Sequence, residues 1–189
     1  KISNNFYNYL ELVLKNGKVS FFQMRLKNYS LKKKVRIGNK IKKICKKYEV
    51  KFIINDDPML TLKLNADGCH LGQKDMNIRK AKKILGKKII GVTCHNSIGL
   101  AKKAIKYRAN YIAFGSFYSS KTKKTKYKAS IKILDKIKKF TKIPVVAIGG
   151  INSDNYKNLL LNNANFLAIS SYIWKNKKYK PLQAIERLK

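Results

Sequence analysis

Residues 52–75 run Phe52-Ile53-Ile54-Asn55-Asp56-Asp57-Pro58, then Met59 to Ala66, then Asp67-Gly68-Cys69-His70-Leu71-Gly72-Gln73-Lys74-Asp75. Phe52-Ile53-Ile54 is a short apolar run bounded by polar turn formers, as in a strand buried on both faces. Pro58 suits the first turn of a helix, where its missing N–H costs nothing, and a helix is predicted to Leu64. Gly68 to Leu71 reads as the next strand. Two strands joined through a helix run parallel. Each strand ends in polar groups: Asn55-Asp56-Asp57 after the first, Gly72-Gln73-Lys74-Asp75 after the second.

Outward from this stretch the same unit recurs. Strands are predicted at Val19–Met24, Lys88–Thr93, Tyr111–Phe114, Pro144–Ile148 and Phe166–Ile169. Helices are predicted from the Ser30 cap to Tyr48, over Ile78–Leu85, Ile98–Tyr107, Ile131–Phe140 and Asp154–Leu161, and as two pieces between Tyr172 and Leu188 broken at Pro181. The seven β-runs alternate with helices along the whole sequence. No glycine-rich turn follows the first run, where Gln23-Met24-Arg25-Leu26-Lys27 stands instead, so an open dinucleotide-binding sheet fits poorly. Polar residues at nearly every strand's C-terminal end are what an α/β (β/α)8 TIM barrel uses to build its site. The expectation is one TIM-barrel domain over residues 1–189. Phe6, Tyr9, Leu10, Leu12 and Val13 fall at helical spacing with no strand ahead of them. The barrel is therefore expected to lack its first strand in this chain, leaving the flanking strands with open edges.

The 189 residues include 44 Lys+Arg against 9 Asp+Glu, a formal charge of +35. Only Arg25, Arg36, Arg79, Arg108 and Arg187 are arginines, whereas bidentate phosphate and base recognition favours that residue. The lysines are spread through nearly every predicted helix. They read as solvated faces of a compositionally biased chain rather than a nucleic-acid surface. No apolar run approaches the roughly 18 residues of a membrane span, and Cys45, Cys69 and Cys94 make no disulfide framework, so a cytoplasmic setting is expected. The pairs Cys69-His70 and Cys94-His95 fit no common zinc spacing, and Cys69 and Cys94 are expected to pack in the interior.

Acids are scarce, and four of the nine, Asp56, Asp57, Asp67 and Asp75, lie between residues 56 and 75. Neighbouring strand ends lie about 4.8 Å apart, close enough for Asp56 and Asp75 to meet one ion. Hard oxygen ligands suit Mg²⁺, which takes one or two carboxylates together with substrate phosphates; the plain alternative is that Asp57 or Asp75 caps a helix. Gln23, Arg25 and Lys27 alternate, so they share a face. Turned inward, such a row is costly without an anion and reads as a phosphate clamp. The loop Ser119-Ser120-Lys121-Thr122-Lys123-Lys124-Thr125-Lys126 offers hydroxyl and ammonium donors to phosphate oxygens. Gly149-Gly150 and Ser170-Ser171 end the last two strands, where barrels commonly bind phosphate.

With these residues assembled, the chain resembles the thiamine-phosphate synthases and their relatives, the thiazole tautomerases, from about Val19 to Ser171. Gln23-Met24-Arg25-Leu26-Lys27 is similar to the family's Gln-Leu-Arg-Glu-Lys, and Ile54-Asn55-Asp56 to Ile-Asn-Asp. Ala66 to Asp75 is similar to Ala-Asp-Gly-Val-His-Leu-Gly-Gln-Glu-Asp. Ile90-Gly91-Val92-Thr93 resembles Ile-Gly-Val-Ser, Ser120-Lys121-Thr122-Lys123 resembles Thr-x-Thr-Lys, and Ala147-Ile148-Gly149-Gly150-Ile151 is identical. The resemblance implies a TIM barrel and a Mg²⁺-dependent transferase that joins a pyrimidine methyl diphosphate to a thiazole phosphate or its carboxylate. It implies that Gln23, Arg25, Lys27, Asn55, Thr93 and Lys123 hold the diphosphate substrate, with Arg25, Lys27 and Lys123 acting in catalysis. It implies Asp56 and Asp75 as metal ligands, and Ser120, Thr122, Gly150, Ser170 and Ser171 around the thiazole phosphate. A tautomerase would need neither the metal carboxylates nor the diphosphate clamp, so the synthase is favoured. A basic RNA-binding protein is the third reading, with small molecules rather than nucleic acid or membrane expected as partners.

Overall fold

The structure, a computed structural model, describes residues 2, 4–119 and 126–188. Its elements alternate as expected. In order they are α1 (Asn4–Lys15), β1 (Phe21–Met24), α2 (Leu31–Lys47), β2 (Lys51–Asn55), α3 (Pro58–Lys63), β3 (Gly68–Leu71), α4 (Ile78–Leu85) and β4 (Ile89–His95). There follow α5 (Ile98–Lys106), β5 (Tyr111–Gly115), α6 (Lys132–Lys138), β6 (Val145–Ile148), α7 (Tyr156–Leu161), β7 (Phe166–Ala168), α8 (Ser171–Trp174) and α9 (Pro181–Glu186). This is a TIM-barrel-like α/β chain with seven strands among the described residues. The chain forms two compact units, residues 1–90 and 91–189.

In the first unit β2 pairs in parallel with β1 on one side and β3 on the other. Phe52, Ile53 and Ile54 are each 1% exposed, so both faces of β2 are covered, as its unbroken apolar run requires. Ile37, Ile41, Ile44 and Cys45 are buried at helical spacing on α2, which packs on β2, and Leu10, Val13 and Leu14 are buried on α1, which packs on α2. Ser30 caps α2 by accepting the Lys33 N–H, and Tyr48 closes it.

In the second unit β4 pairs with β5, β5 with β6 and β6 with β7, all parallel. Ile112, Ala113, Phe114, Val145 and Ala147 are wholly buried there. β1 stands first and β7 last in the strand order, and these two carry the most exposed side chains of the strands.

The bottoms of two strands are tied by side chains. Asp67 Oδ2 accepts the Phe52 N–H at 2.8 Å, and Asn165 Oδ1 accepts the Val145 N–H at 2.9 Å. No described lysine or arginine is buried.

Candidate active site

The two adjacent aspartates at the end of β2 do different work. Asp56 turns into the left-handed region at φ 67°, a conformation aspartate tolerates, and its N–H donates to the His70 carbonyl at 2.7 Å. That turn frees Asp57 to cap α3, where its Oδ1 accepts the Leu60 N–H at 2.9 Å and its carbonyl accepts the Thr61 hydroxyl at 2.8 Å. Asp57 is thus the helix cap foreseen as the plain alternative, and Asp56 is not.

Asp75 returns to the same place from beyond β3. Its Oδ2 accepts the Gly72 N–H at 2.8 Å, closing the turn. Gly72 carries no Cβ, which is what admits the pair: a side chain there would meet Asp75 Oδ2 at 2.7 Å and Asp56 Oδ1 at 4.0 Å. The Asp75 carboxyl lies close enough to Asp56 to act on its ionisation. Burial first, then Asp75's hydrogen bond and charge, push the Asp56 carboxyl up to about 6, while Lys27 and Arg25 pull it down. The charges of Lys27 and Arg25, just beyond β1, therefore reach Asp56 through space.

One expectation from the sequence is corrected. Gln23, Arg25 and Lys27 alternate with the buried Met24, but all three are exposed rather than buried. β1 ends at Met24, and its described partner strand lies on one side alone, so the row is open to water. The cost of burying cations therefore gives no argument for an anion there. Asn55, the last residue of β2, is half-buried.

His70 and the cysteines behave as interior residues. The His70 side chain is buried, and burial lowers its pKa to about 4 against an opposing pull from Asp75. Cys45, Cys69 and Cys94 are free and buried, with thiols pushed up to about 12 by burial. The core reading of Cys69 and Cys94 holds. His95, by contrast, leaves the strand at φ 53° and stacks on Tyr127 with ring centroids 4.0 Å apart.

In the second unit, Thr93 sits half-buried on β4. Ser120, Thr122 and Lys123 lie outside the described residues. Gly149 and Gly150 have φ 98° and 66°. A Cβ on Gly150 would strike the Ser119 carbonyl and approach Tyr118 to 2.7 Å, so this position needs glycine for packing as well as for conformation. The loop after β6 is zipped to the segment after β5: the Phe117 N–H donates to the Ile148 carbonyl and the Tyr118 N–H to the Gly149 carbonyl, both at 3.1 Å. Among the described residues, the N–H groups of Gly149, Gly150 and Ile151 meet no acceptor. Free N–H groups in successive peptides suit an anion. Ser170 is exposed and precedes α8; its carbonyl accepts the Ile173 and Trp174 N–H groups, and no capping bond engages its hydroxyl. Ser171 is half-buried.

Among the described residues no group of three or more His, Cys, Asp or Glu gathers for a metal, and no helix is long and apolar enough to cross a membrane. The sequence reading missed Gly72, Tyr118 and Asn155. Gly72 stood inside a quoted motif, but the other two act through backbone contacts that no spacing rule detects.

A thiamine-phosphate synthase from Pelagibacter ubique is 67% identical over 185 residues, covering 98% of this chain and 89% of that protein. One from Nitrosomonas eutropha is 40% identical over 159 residues, covering 84% and 75%. The solved thiamine phosphate pyrophosphorylase from Pyrococcus furiosus superposes with a TM-score of 0.87 at 31% identity, over 96% of this chain and 86% of that one. The model of the thiamine monophosphate synthase family matches residues 1–173, and the chain belongs to that family.

Proposed function

We propose that this chain is itself a thiamine-phosphate synthase. It would join 4-amino-2-methyl-5-(diphosphooxymethyl)pyrimidine to thiazole phosphate or its carboxylate, releasing diphosphate and, from the carboxylate, CO₂. The observation that carries this reading is the Asp56–Asp75 carboxyl pair with Arg25 and Lys27 within electrostatic reach. A tautomerase has no use for that combination.

The pair fits Mg²⁺. Two hard oxygen donors are held against each other despite their like charge, and two is the number of carboxylates Mg²⁺ commonly takes when phosphates complete its shell. Bound there, the cation would neutralise charge on the leaving diphosphate.

The protein's own groups account for the rest. Gln23, Arg25, Lys27, Asn55, Thr93 and Lys123 would orient the pyrimidine diphosphate. The bond between the methylene carbon and the diphosphate oxygen breaks with its electron pair passing to oxygen. Arg25, Lys27 and Lys123 stabilise that growing charge. The pyrimidinylmethyl cation left behind is captured by the thiazole nitrogen, whose lone pair forms the new carbon–nitrogen bond. Ser120, Thr122, Gly150, Ser170 and Ser171 would hold the acceptor's phosphate. No protein nucleophile is required, which agrees with thiols pushed up to about 12.

Incubation with the pyrimidine diphosphate, thiazole phosphate or its carboxylate, and Mg²⁺ tests the reading. Thiamine phosphate and diphosphate should form in equal amounts, detected by mass spectrometry. Lys123→Ala should lower kcat as well as affinity for the diphosphate, since its contact strengthens as the bond breaks. Rearrangement of the thiazole carboxylate without thiamine phosphate would assign the chain to the tautomerases instead.

A further inference from the structure

We propose that Asn155 is a positioning residue that orients the Gly149–Ile151 backbone toward the phosphate of the acceptor substrate, with Tyr118 as its anchor. The inference rests on the synthase reading above, in which Gly150 meets the thiazole phosphate.

The carbonyls of Ile148, Gly149 and Gly150 are all engaged by donors. The first two accept the Phe117 and Tyr118 N–H groups at 3.1 Å. The third accepts from Asn155 Nδ2, also at 3.1 Å. A peptide unit is planar and trans, so fixing a carbonyl aims the following N–H the opposite way. Three fixed carbonyls therefore fix the aim of the Gly149, Gly150 and Ile151 N–H groups, and among the described residues none of these has an acceptor.

Backbone donors secure the first two peptides. The third depends on one side chain. Asn155 is held for this at both ends of its amide, because its Oδ1 accepts the Asn152 N–H at 3.0 Å. Its main chain is tied to the opposite loop, where the Tyr118 hydroxyl donates to the Asn155 carbonyl at 3.2 Å. An asparagine at the N-cap of a helix ordinarily spends its side chain on the helix. Asn155 occupies that position before α7 and makes no capping bond. Its amide is turned to the glycine loop instead, so helix capping does not explain the residue.

Without the Nδ2 donor, the Gly150–Ile151 peptide can rotate and its N–H loses its aim. The expected defect is confined to the acceptor phosphate. Asn155→Ala, which adds no charge, should raise KM for thiazole phosphate about tenfold. KM for the pyrimidine diphosphate should stay within about twofold of wild type, with kcat little changed. Tyr118→Phe keeps the ring and deletes one hydroxyl; it should raise the same KM about two- to threefold. Calorimetric binding of thiazole phosphate alone should weaken in the same order. A merely structural role would instead impair both substrates together. Wild-type KM values in Asn155→Ala, or equal rises for both substrates in Tyr118→Phe, would overturn the proposal while leaving the synthase reading intact. A wild-type protein that neither binds nor converts thiazole phosphate overturns both.

Discussion

The Asp75 carboxyl bears on that of Asp56 and helps raise its pKa, and the charges that draw Asp56 back toward ionisation, Lys27 and Arg25, follow a different strand. Like charges at this range repel unless a proton or a cation stands between them. Asp56→Asn keeps the shape and removes one charge. In metal-free protein at pH 8 it should leave the melting temperature unchanged or raise it, while Mg²⁺ affinity by calorimetry falls at least about tenfold, the loss expected for one charged ligand. Asp75→Asn should lose Mg²⁺ affinity similarly, whereas Asp75→Ala should also destabilise, because Gly72 N–H loses its acceptor. An Asp56→Asn protein that binds Mg²⁺ like wild type removes Asp56 from the ligand set.

The same corner sets two opposing pH dependences. His70 has a folded-state pKa of about 4, below its ordinary 6.5. Between those values the unfolded chain takes a proton that the folded chain refuses. This contribution to stability is complete above about pH 6.5 and is lost as pH falls toward 4. Asp56 has a folded-state pKa of about 6, above its ordinary 3.8. Its contribution is complete below about pH 3.8 and is lost as pH rises through 6. Over pH 4–6 the two slopes oppose each other in metal-free protein. Asp56→Asn should therefore make stability climb more steeply with pH over that interval, and His70→Gln should do the reverse. Denaturant melts at several pH values read the slopes, and unchanged slopes in both variants would show that neither shift exists.

Asp67 belongs to the acidic cluster in sequence but not in function. Its carboxylate holds the Phe52 N–H at the opposite end of the strand from Asp56, with an exposed ion pair to Lys51 at 3.9 Å. Exposed pairs contribute little, whereas an orphaned strand N–H costs about 1–2 kcal/mol. Asp67→Ala should lower Tm by roughly 2–6 °C for a chain of this size. Its kcat and KM, measured on folded protein, should stay at wild-type values. A kinetic defect without loss of Tm would place Asp67 at the site after all.

The alternation of apolar runs with capped lysine-rich helices was legible because buried parallel strands leave an unmistakable two-letter pattern. Ser30, Pro58 and the break at Pro181 marked real boundaries for the same local reasons. Asp56 and Asp75 stood out because nine acids among 189 residues leave little room for accident. The row Gln23, Arg25 and Lys27 was read as buried because alternation reveals which residues share a face but not whether water reaches that face. Asn155 and Tyr118 were invisible for another reason. Each works through a single side-chain-to-backbone hydrogen bond across loops, and such bonds leave no period or spacing. Gly150 stands out in the sequence by its place at a strand end where barrels commonly bind phosphate; its crowding against Tyr118 and Ser119 emerges only in three dimensions.

The +35 charge sets the last expectation. Nine acids cannot neutralise 44 cations, and the ion pairs Lys47–Glu11 and Lys51–Asp67 are themselves solvent-exposed. The folded chain therefore carries net self-repulsion that the more expanded unfolded chain relieves. Salt shortens the Debye length from about 30 Å at 0.01 M to about 8 Å at 0.15 M, so added salt should stabilise this protein. Melting temperature should rise between those concentrations, the opposite of what a surface held by ion pairs would do. Substrate capture responds the other way. In the proposed reaction both substrates are anions that the collective field would draw in, so kcat/KM should fall as that field is screened. Direct contacts to the diphosphate in the proposed reaction would be screened far less, so kcat should hold. Steady-state kinetics and melts across the same sodium chloride series check both arms. A kcat that collapses with salt while KM stays constant would mean that the diffuse surface charge, rather than Arg25, Lys27 and Lys123, stabilises the leaving group.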